Sequence, residues 1–250
     1  MNSQWKTAWI TGATHGIGRA IAEQLAAGGV QVAVSSRSQD DLVSMHEKQQ
    51  RIMPVRLDVT DASAAAVAVN DIVRQLDLPE LVILNAGIYE PLAAESVTAE
   101  GYRKHIEVNY IGVTNCLAEI LPRMLERGYG QIAIVASVAG YRGLPQAAAY
   151  GPTKAALINL AETLRLELQG SGVDIRLVNP GFVATRLTAR NEFKMPAVMS
   201  PDMAAARIIQ GLQGKRFEIV FPWRFILWLK LLRLLPWRLY CLVVRRVTGL

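Results

Sequence analysis

The chain has 250 residues, 51% hydrophobic and 19% charged, a balance that suits one large α/β domain with a packed core and excludes a disordered chain. Two cysteines, Cys116 and Cys241, and three histidines, His15, His46 and His105, are scattered along it; this excludes a disulfide framework and a spaced metal-ligand motif, and fits a reducing, cytoplasmic compartment. The net charge of +6 sits at one end: no acid follows Glu218, whereas Arg224, Lys230, Arg233, Arg238, Arg245 and Arg246 do, leaving 21 basic and 21 acidic residues elsewhere, so a distributed nucleic-acid footprint is excluded too.

The first apolar run, Thr7–Thr11, is too short for a signal-peptide core and reads as a strand. It enters Thr11-Gly12-Ala13-Thr14-His15-Gly16-Ile17-Gly18, followed by a helical pattern over Ile17–Ala27. Gly12 permits the tight turn, while Gly16 and Gly18 let a pyrophosphate approach the backbone and the helix pack on the sheet. Phosphates would then meet the free N–H groups of the helix start. A second strand, Gln31–Ser35, ends in Ser35-Ser36-Arg37-Ser38. A site for NAD carries an acid here for the ribose hydroxyl. An arginine without an acid suits a 2′-phosphate instead, so Arg37, with His15 as a second contact, points to NADP(H).

Further strands are expected at Arg51–Leu57, Leu81–Leu84, Gln131–Ala136, Asp174–Val178 and Phe217–Val220, and helices at Ala62–Gln75, Gly101–Glu126 and Tyr150–Gln169. Pro122 should kink or shorten the second of these helices. Pro196 to Pro201 reads as an irregular loop. Alternating strands and helices imply right-handed βαβ crossovers, hence a Rossmann-type doubly wound parallel sheet. Without a Gly/Ser/Pro-rich linker, residues 1–222 form one domain and 223–250 an apolar, basic C-terminal extension.

Tyr150 and Lys154 stand four apart at a helix start and therefore share a face. The lysine cation, aided by an oxidised nicotinamide, would lower the phenol from its reference pKa of about 10 toward working pH. Tyr150 could then serve as acid or base, with Ser137, after its strand, holding the same carbonyl oxygen. Together with Asp58-Val59, Asn85-Ala86-Gly87, Asn109 and Pro180-Gly181 with Thr185, all in order, these residues resemble the short-chain dehydrogenase/reductase family over roughly residues 5–220. The resemblance implies an Asn109, Ser137, Tyr150, Lys154 tetrad. It implies adenine contacts from Asp58 and Val59, with Asn85, Ala86 and Gly87 along the cofactor. Lys154 would also bind the nicotinamide ribose, and Asn109 would hold a water linking Lys154 to solvent. Pro180, Gly181, Val183 and Thr185 would cradle the nicotinamide. A homodimer or homotetramer through the two long helices is implied as well.

The loops expected to meet substrate carry Ile88, Tyr89, Val138, Tyr141, Leu144, Phe182, Leu187, Phe193, Met195 and Met199, with Arg142 the nearest charge. This lining fits a hydrophobic ketone or alcohol. In Trp223–Val247, rich in Trp, Leu and Arg and broken by Pro236, each apolar half is too short to span a bilayer. Lys230 and Arg233 share one helical face, Arg238 and Arg245 another. Two interfacial helices on an anionic membrane, on its cytoplasmic side, would have this pattern; a helical pair covering the pocket or an oligomer interface is the alternative. Two further alternatives are a non-catalytic NADP(H)-binding scaffold or sensor, and an NAD-linked alcohol dehydrogenase.

Overall fold

The computed structural model describes residues 4–92, 94–96, 98–190 and 195–248. Seven strands form one parallel sheet: β1 (Thr7–Thr11), β2 (Gln31–Ser36), β3 (Ile52–Arg56), β4 (Leu81–Leu84), β5 (Gly130–Val135), β6 (Val173–Pro180) and β7 (Glu218–Phe221). Their spatial order is β3-β2-β1-β4-β5-β6-β7, with every neighbouring pair parallel. The order reverses between β1 and β4, which opens a crevice at their carboxyl ends where ligands of such sheets bind.

Nine α-helices among the described residues complete the fold: α1 (Gly16–Ala27), α2 (Gln39–Lys48), α3 (Ala62–Leu76), α4 (Ala99–Ile106), α5 (Gly112–Arg127), α6 (Tyr150–Glu167), α7 (Pro201–Gln213), α8 (Trp223–Leu234) and α9 (Trp237–Thr248). Because side chains alternate along a strand, each strand feeds two cores. Trp9, Ile132 and Ile134 face one side, packed with residues of α3, α5, α6 and α8. Ala8, Ile10, Ala133 and Val135 face the other, packed with α1, α2 and α7. The side-chain caps Ser38, Asp61 and Ser200 start α2, α3 and α7 by accepting from backbone N–H groups.

The expected helix over Gly101–Glu126 is present as α4 and α5, continuous through a π-helical turn, Glu107–Ile111. Pro122 does not end it, since α5 runs on to Arg127. Pro201 also belongs to a helix rather than a loop, as the first residue of α7, where its missing N–H costs nothing.

Candidate active site

The glycine loop crosses the carboxyl end of β1. Gly12 and Gly16 have φ of +63° and +56°, which L side chains rarely adopt. A Cβ on Gly12 would lie 2.7 Å from Ala86 Cα, and one on Gly18 2.5 Å from Asn85 Nδ2. At Gly16 it would meet Thr185 Cγ2 at 3.1 Å. The loop after β1, the start of the loop after β4 and the loop after β6 therefore pack directly on one another, an approach that the glycines allow. Thr11 and Asn85 fasten two of them. The Thr11 hydroxyl accepts from the backbone N–H of Asn85 and Ala86 at 3.0 and 3.1 Å, and Asn85 Nδ2 donates to the carbonyls of Thr11 and Gly12. His15 precedes α1 with extended backbone and makes no side-chain cap, leaving the first N–H groups of α1 for an anion.

The mouth beside β2 is cationic. Thr14 Oγ1 donates to Ser36 Oγ at 3.0 Å and pairs with His15 Nδ1 at 3.1 Å. Arg37, one residue on, is exposed. His15 has its pKa lowered, first by burial and then by the nearby Arg186 guanidinium, with Asp41, 3.7 Å away, working in the opposite direction. Arg186 is therefore a second cation at this mouth beside Arg37, one that sequence did not single out. Asp58 follows β3 and uses Oδ1 to accept from the backbone N–H and the hydroxyl of Thr60. Val59 beside it is buried against Gly112.

At the other end, the crevice gathers Ser137, Tyr150, Lys154 and Asn109. Ser137 follows β5; its hydroxyl accepts from Ala139 N–H and lies near enough to the Tyr150 phenol to lower its pKa. Tyr150 opens α6, and the Tyr89 ring stacks edge-on against it at 5.0 Å. One turn further along, Lys154 is buried; its Nζ donates to Val135 carbonyl at 2.9 Å and lies 5.6 Å from the Tyr150 ring centre. A Cβ on Gly87 would sit 3.2 Å from Asn109 Oδ1 and 3.5 Å from Lys154 Nζ, so these three groups converge.

The π-turn presents Asn109. Its Oδ1 accepts from Ile88 N–H at 2.7 Å, and its Nδ2 donates to Ile88 carbonyl and to Thr153 Oγ1. Thr153 in turn donates to the Tyr150 carbonyl. Thr153 was not expected from sequence; its place between Tyr150 and Lys154 was the available signal. The extra residue of a π-turn commonly serves to aim a side chain at a site.

Burial pushes the Tyr150 phenol up to about 12, with the Ser137 hydroxyl pulling it down and Tyr89 pushing it up. Burial also lowers Lys154 to about 8. The expected lowering of Tyr150 is thus reversed in the chain by itself, because desolvation of the anion dominates.

On the remaining wall, Pro180 and Val183 are buried, and Gly181 and Thr185 are half-buried. Thr185 N–H donates to Thr188 Oγ1, which donates to the Val183 carbonyl. Several expected substrate contacts lie elsewhere. The Tyr141 hydroxyl is bonded to Glu218, Arg142 reaches the C-terminal helices, and Met199 bridges Val183 and packs on the core. Ile88 is held by Asn109, while Val138 is buried and Leu187 exposed. Leu144 and Met195 are half-buried, Phe182 stacks on Phe225, and Phe193 lies outside the described residues. Among the described residues no group of acids, histidines and cysteines could hold a metal ion.

A parallel sheet with a glycine-lined crevice at its switch point, leading to a paired tyrosine and lysine, defines a nicotinamide-dependent oxidoreductase of the Rossmann type. The short chain dehydrogenase family model matches residues 6–195, and the chain belongs to the short-chain dehydrogenase/reductase family of oxidoreductases. An uncharacterized oxidoreductase of Myxococcus xanthus is 35% identical, across 97% of this chain and 98% of its own. A 2-dehydro-3-deoxy-L-rhamnonate dehydrogenase (NAD(+)) of Sphingomonas is 34% identical, covering 70% of this chain and 71% of its own. A 3-oxoacyl-[acyl-carrier-protein] reductase of Staphylococcus aureus is 31% identical over 82% of this chain and 85% of its own. A short chain dehydrogenase of Burkholderia cenocepacia solved in complex with NADP superposes with a TM-score of 0.78 at 29% identity, covering 88% of this chain and 89% of that one.

Proposed function

We propose that the protein is an NADPH-dependent carbonyl reductase acting on a hydrophobic, lipid-like ketone, with Tyr150 as its proton donor. The observation that carries this reading is the Tyr150 phenol, set beside Ser137 and Lys154 at the carboxyl end of the sheet. A dinucleotide fits the crevice there because the glycines at 12 and 16 take the positive-φ turn after β1 and the start of α1 keeps N–H groups free for its phosphates. Gly12, Thr14, Gly16, Ile17 and Gly18 would hold the pyrophosphate, Asp58 and Val59 the adenine, and Asn85, Ala86 and Gly87 the middle of the cofactor. Pro180, Gly181, Val183 and Thr185 would hold the nicotinamide. Arg37, with His15 and Arg186 beside it, favours the 2′-phosphate of NADP(H) over the bare ribose of NAD.

Bound NADPH would supply the hydride taken up by the carbonyl carbon. Ser137 holds the carbonyl oxygen, and Tyr150 gives it the proton that completes the alcohol. The raised pKa of the half-buried phenol keeps it protonated and so ready as an acid. Charged Lys154 favours the tyrosinate left behind. Since the Asn109 side chain is committed to Ile88 and Thr153, a relay water next to it would use its main chain. The apolar residues around the loops, Tyr89 and Phe182 among them, suit an apolar substrate. Assembly into a homodimer or homotetramer through α5 and α6, and peripheral attachment to the cytoplasmic face of a membrane, complete the reading.

The test is oxidation of NADPH and of NADH with 3-oxo esters and aliphatic ketones of rising chain length, with Tyr150→Phe treated identically. The proposal expects rates that prefer NADPH, climb with chain length and vanish in the variant. NADPH binding without any Tyr150-dependent turnover would move the protein to the scaffold alternative.

A further inference from the structure

The C-terminal pair does not hang free. Arg142, in the loop between Ser137 and Tyr150, donates through Nη1 to the carbonyls of Leu232, Arg233 and Leu235 at 2.8–3.0 Å, at the C-terminal end of α8. Its guanidinium also lies 3.9 Å from the centre of the Tyr240 ring, and Tyr240 donates its hydroxyl to Gly143 carbonyl at 2.7 Å. Glu218 ties the same loop to α8 by accepting from both Tyr141 and Lys230. On the other loop, Phe225 stacks on Phe182 at 5.8 Å. The two loops that flank the nicotinamide end of the crevice thus carry α8 and α9 between them. Lys230 is paired with Glu218 and does not add a free charge to the outward face.

What remains outward is apolar and cationic. Along α8, Leu227, Trp228, Leu231 and Leu234 form one exposed stripe, Trp228 being 65% and Leu234 80% accessible. On α9, an open groove of about 540 Å³ is lined by Trp237, Arg238, Cys241, Leu242 and Arg245. Arg224, Arg238 and Arg246 are exposed beside these side chains, and the sequence after Glu218 holds no acid to answer them. Among the described residues no helix is long and apolar enough to cross a membrane. Apolar side chains bordered by cations, on helices too short to span, complement an anionic lipid surface.

We propose that the outward face of α8 and α9 docks on an anionic bilayer, and that its mounting on the loop after Ser137 and the loop after β6 sets the substrate entrance against the lipid. The docking stands apart from turnover, whereas its consequence for substrate access rests on the carbonyl-reductase reading.

The experiment sediments the full chain with phosphatidylcholine vesicles, and with vesicles in which about three in ten lipids are phosphatidylglycerol. Binding to the anionic vesicles only is expected. Each arginine near the surface contributes about five-fold in partitioning, so Arg238→Ser with Arg246→Ser should weaken binding by at least about 20-fold. Trp228→Ser with Leu231→Ser should abolish it, with NADPH binding retained as the control for folding. Absence of binding, or equal binding to both vesicle types, overturns the proposal. So does a dimer that the Trp228 and Leu231 variants split, since the face would then belong to a second copy. Vesicle binding by a protein inactive on every ketone would sink the reductase reading alone.

Discussion

Tryptophan behaves oppositely in the body of the molecule and in its C-terminal pair. Trp9 is wholly buried between β1 and the helices packed over it, and its Nε1 donates to Ser35 Oγ. Trp223, Trp228 and Trp237 are about two-thirds exposed on short helices of similarly apolar composition. The difference is what lies opposite. A strand in a doubly wound sheet has helices on both faces, whereas α8 finds the body on one side only, where Ile226 and part of Phe225 enter the core. Hydrophobicity sets how strongly a residue seeks cover, and topology decides whether the chain supplies it.

That contrast can be broken most forcefully in the body. Tyr150→Phe keeps the ring and loses the proton, so reductase activity should fall by about 10³-fold or more while NADPH binding persists; retained activity would place the acid elsewhere. The next largest effect belongs to the buried side of the tail. Ile226→Ala should cost about 2–4 kcal/mol in urea unfolding, against almost nothing for Leu234→Ala, which is 80% exposed. Equal losses would mean that a partner chain covers the outward stripe. Arg37→Ala should weaken NADPH by about 10- to 100-fold, the value of a charge-assisted hydrogen bond, with little change for NADH. A uniform loss would show that Arg37 does not read the 2′-phosphate.

Lys154 gives a milder, pH-dependent effect. Its pKa is lowered to about 8, so it is charged below that pH and loses its charge as pH rises through it. Initial rates of reduction should therefore decline above about pH 8. A flat profile to pH 10 would mean that the lysine charge is not needed.

The sheet was legible because its signals are local. Apolar runs of strand length alternate with helical patterns, and the glycine loop marks the end of β1 without knowledge of anything distant. Tyr150 and Lys154 were legible for the same reason, since four residues on a helix fix their common face. The π-turn before α5 was not. It occurs where Asn109 reaches Ile88 and Thr153, partners 21 and 44 residues away, rather than at Pro122, where the local rule placed a kink. Arg142 looked like a charge beside the substrate, yet its partners are at least 90 residues further on, at the end of α8. Arg186 was missed because nothing in sequence sets it across from His15. The direction of the Tyr150 shift depends on how far the phenol is desolvated by its neighbours, which spacing cannot report.

The central claim is that this crevice passes a hydride to a carbonyl carbon while Tyr150 supplies the proton. The most direct measurement incubates the protein with NADPH carrying deuterium at the transferable position and a long-chain 3-oxo ester, then locates the label in the product by mass spectrometry. The account predicts deuterium on the new carbinol carbon with the wild-type chain and no labelled alcohol with Tyr150→Phe. Label transfer that survives the substitution, or tight NADPH binding with no transfer to any ketone of the series, would contradict it.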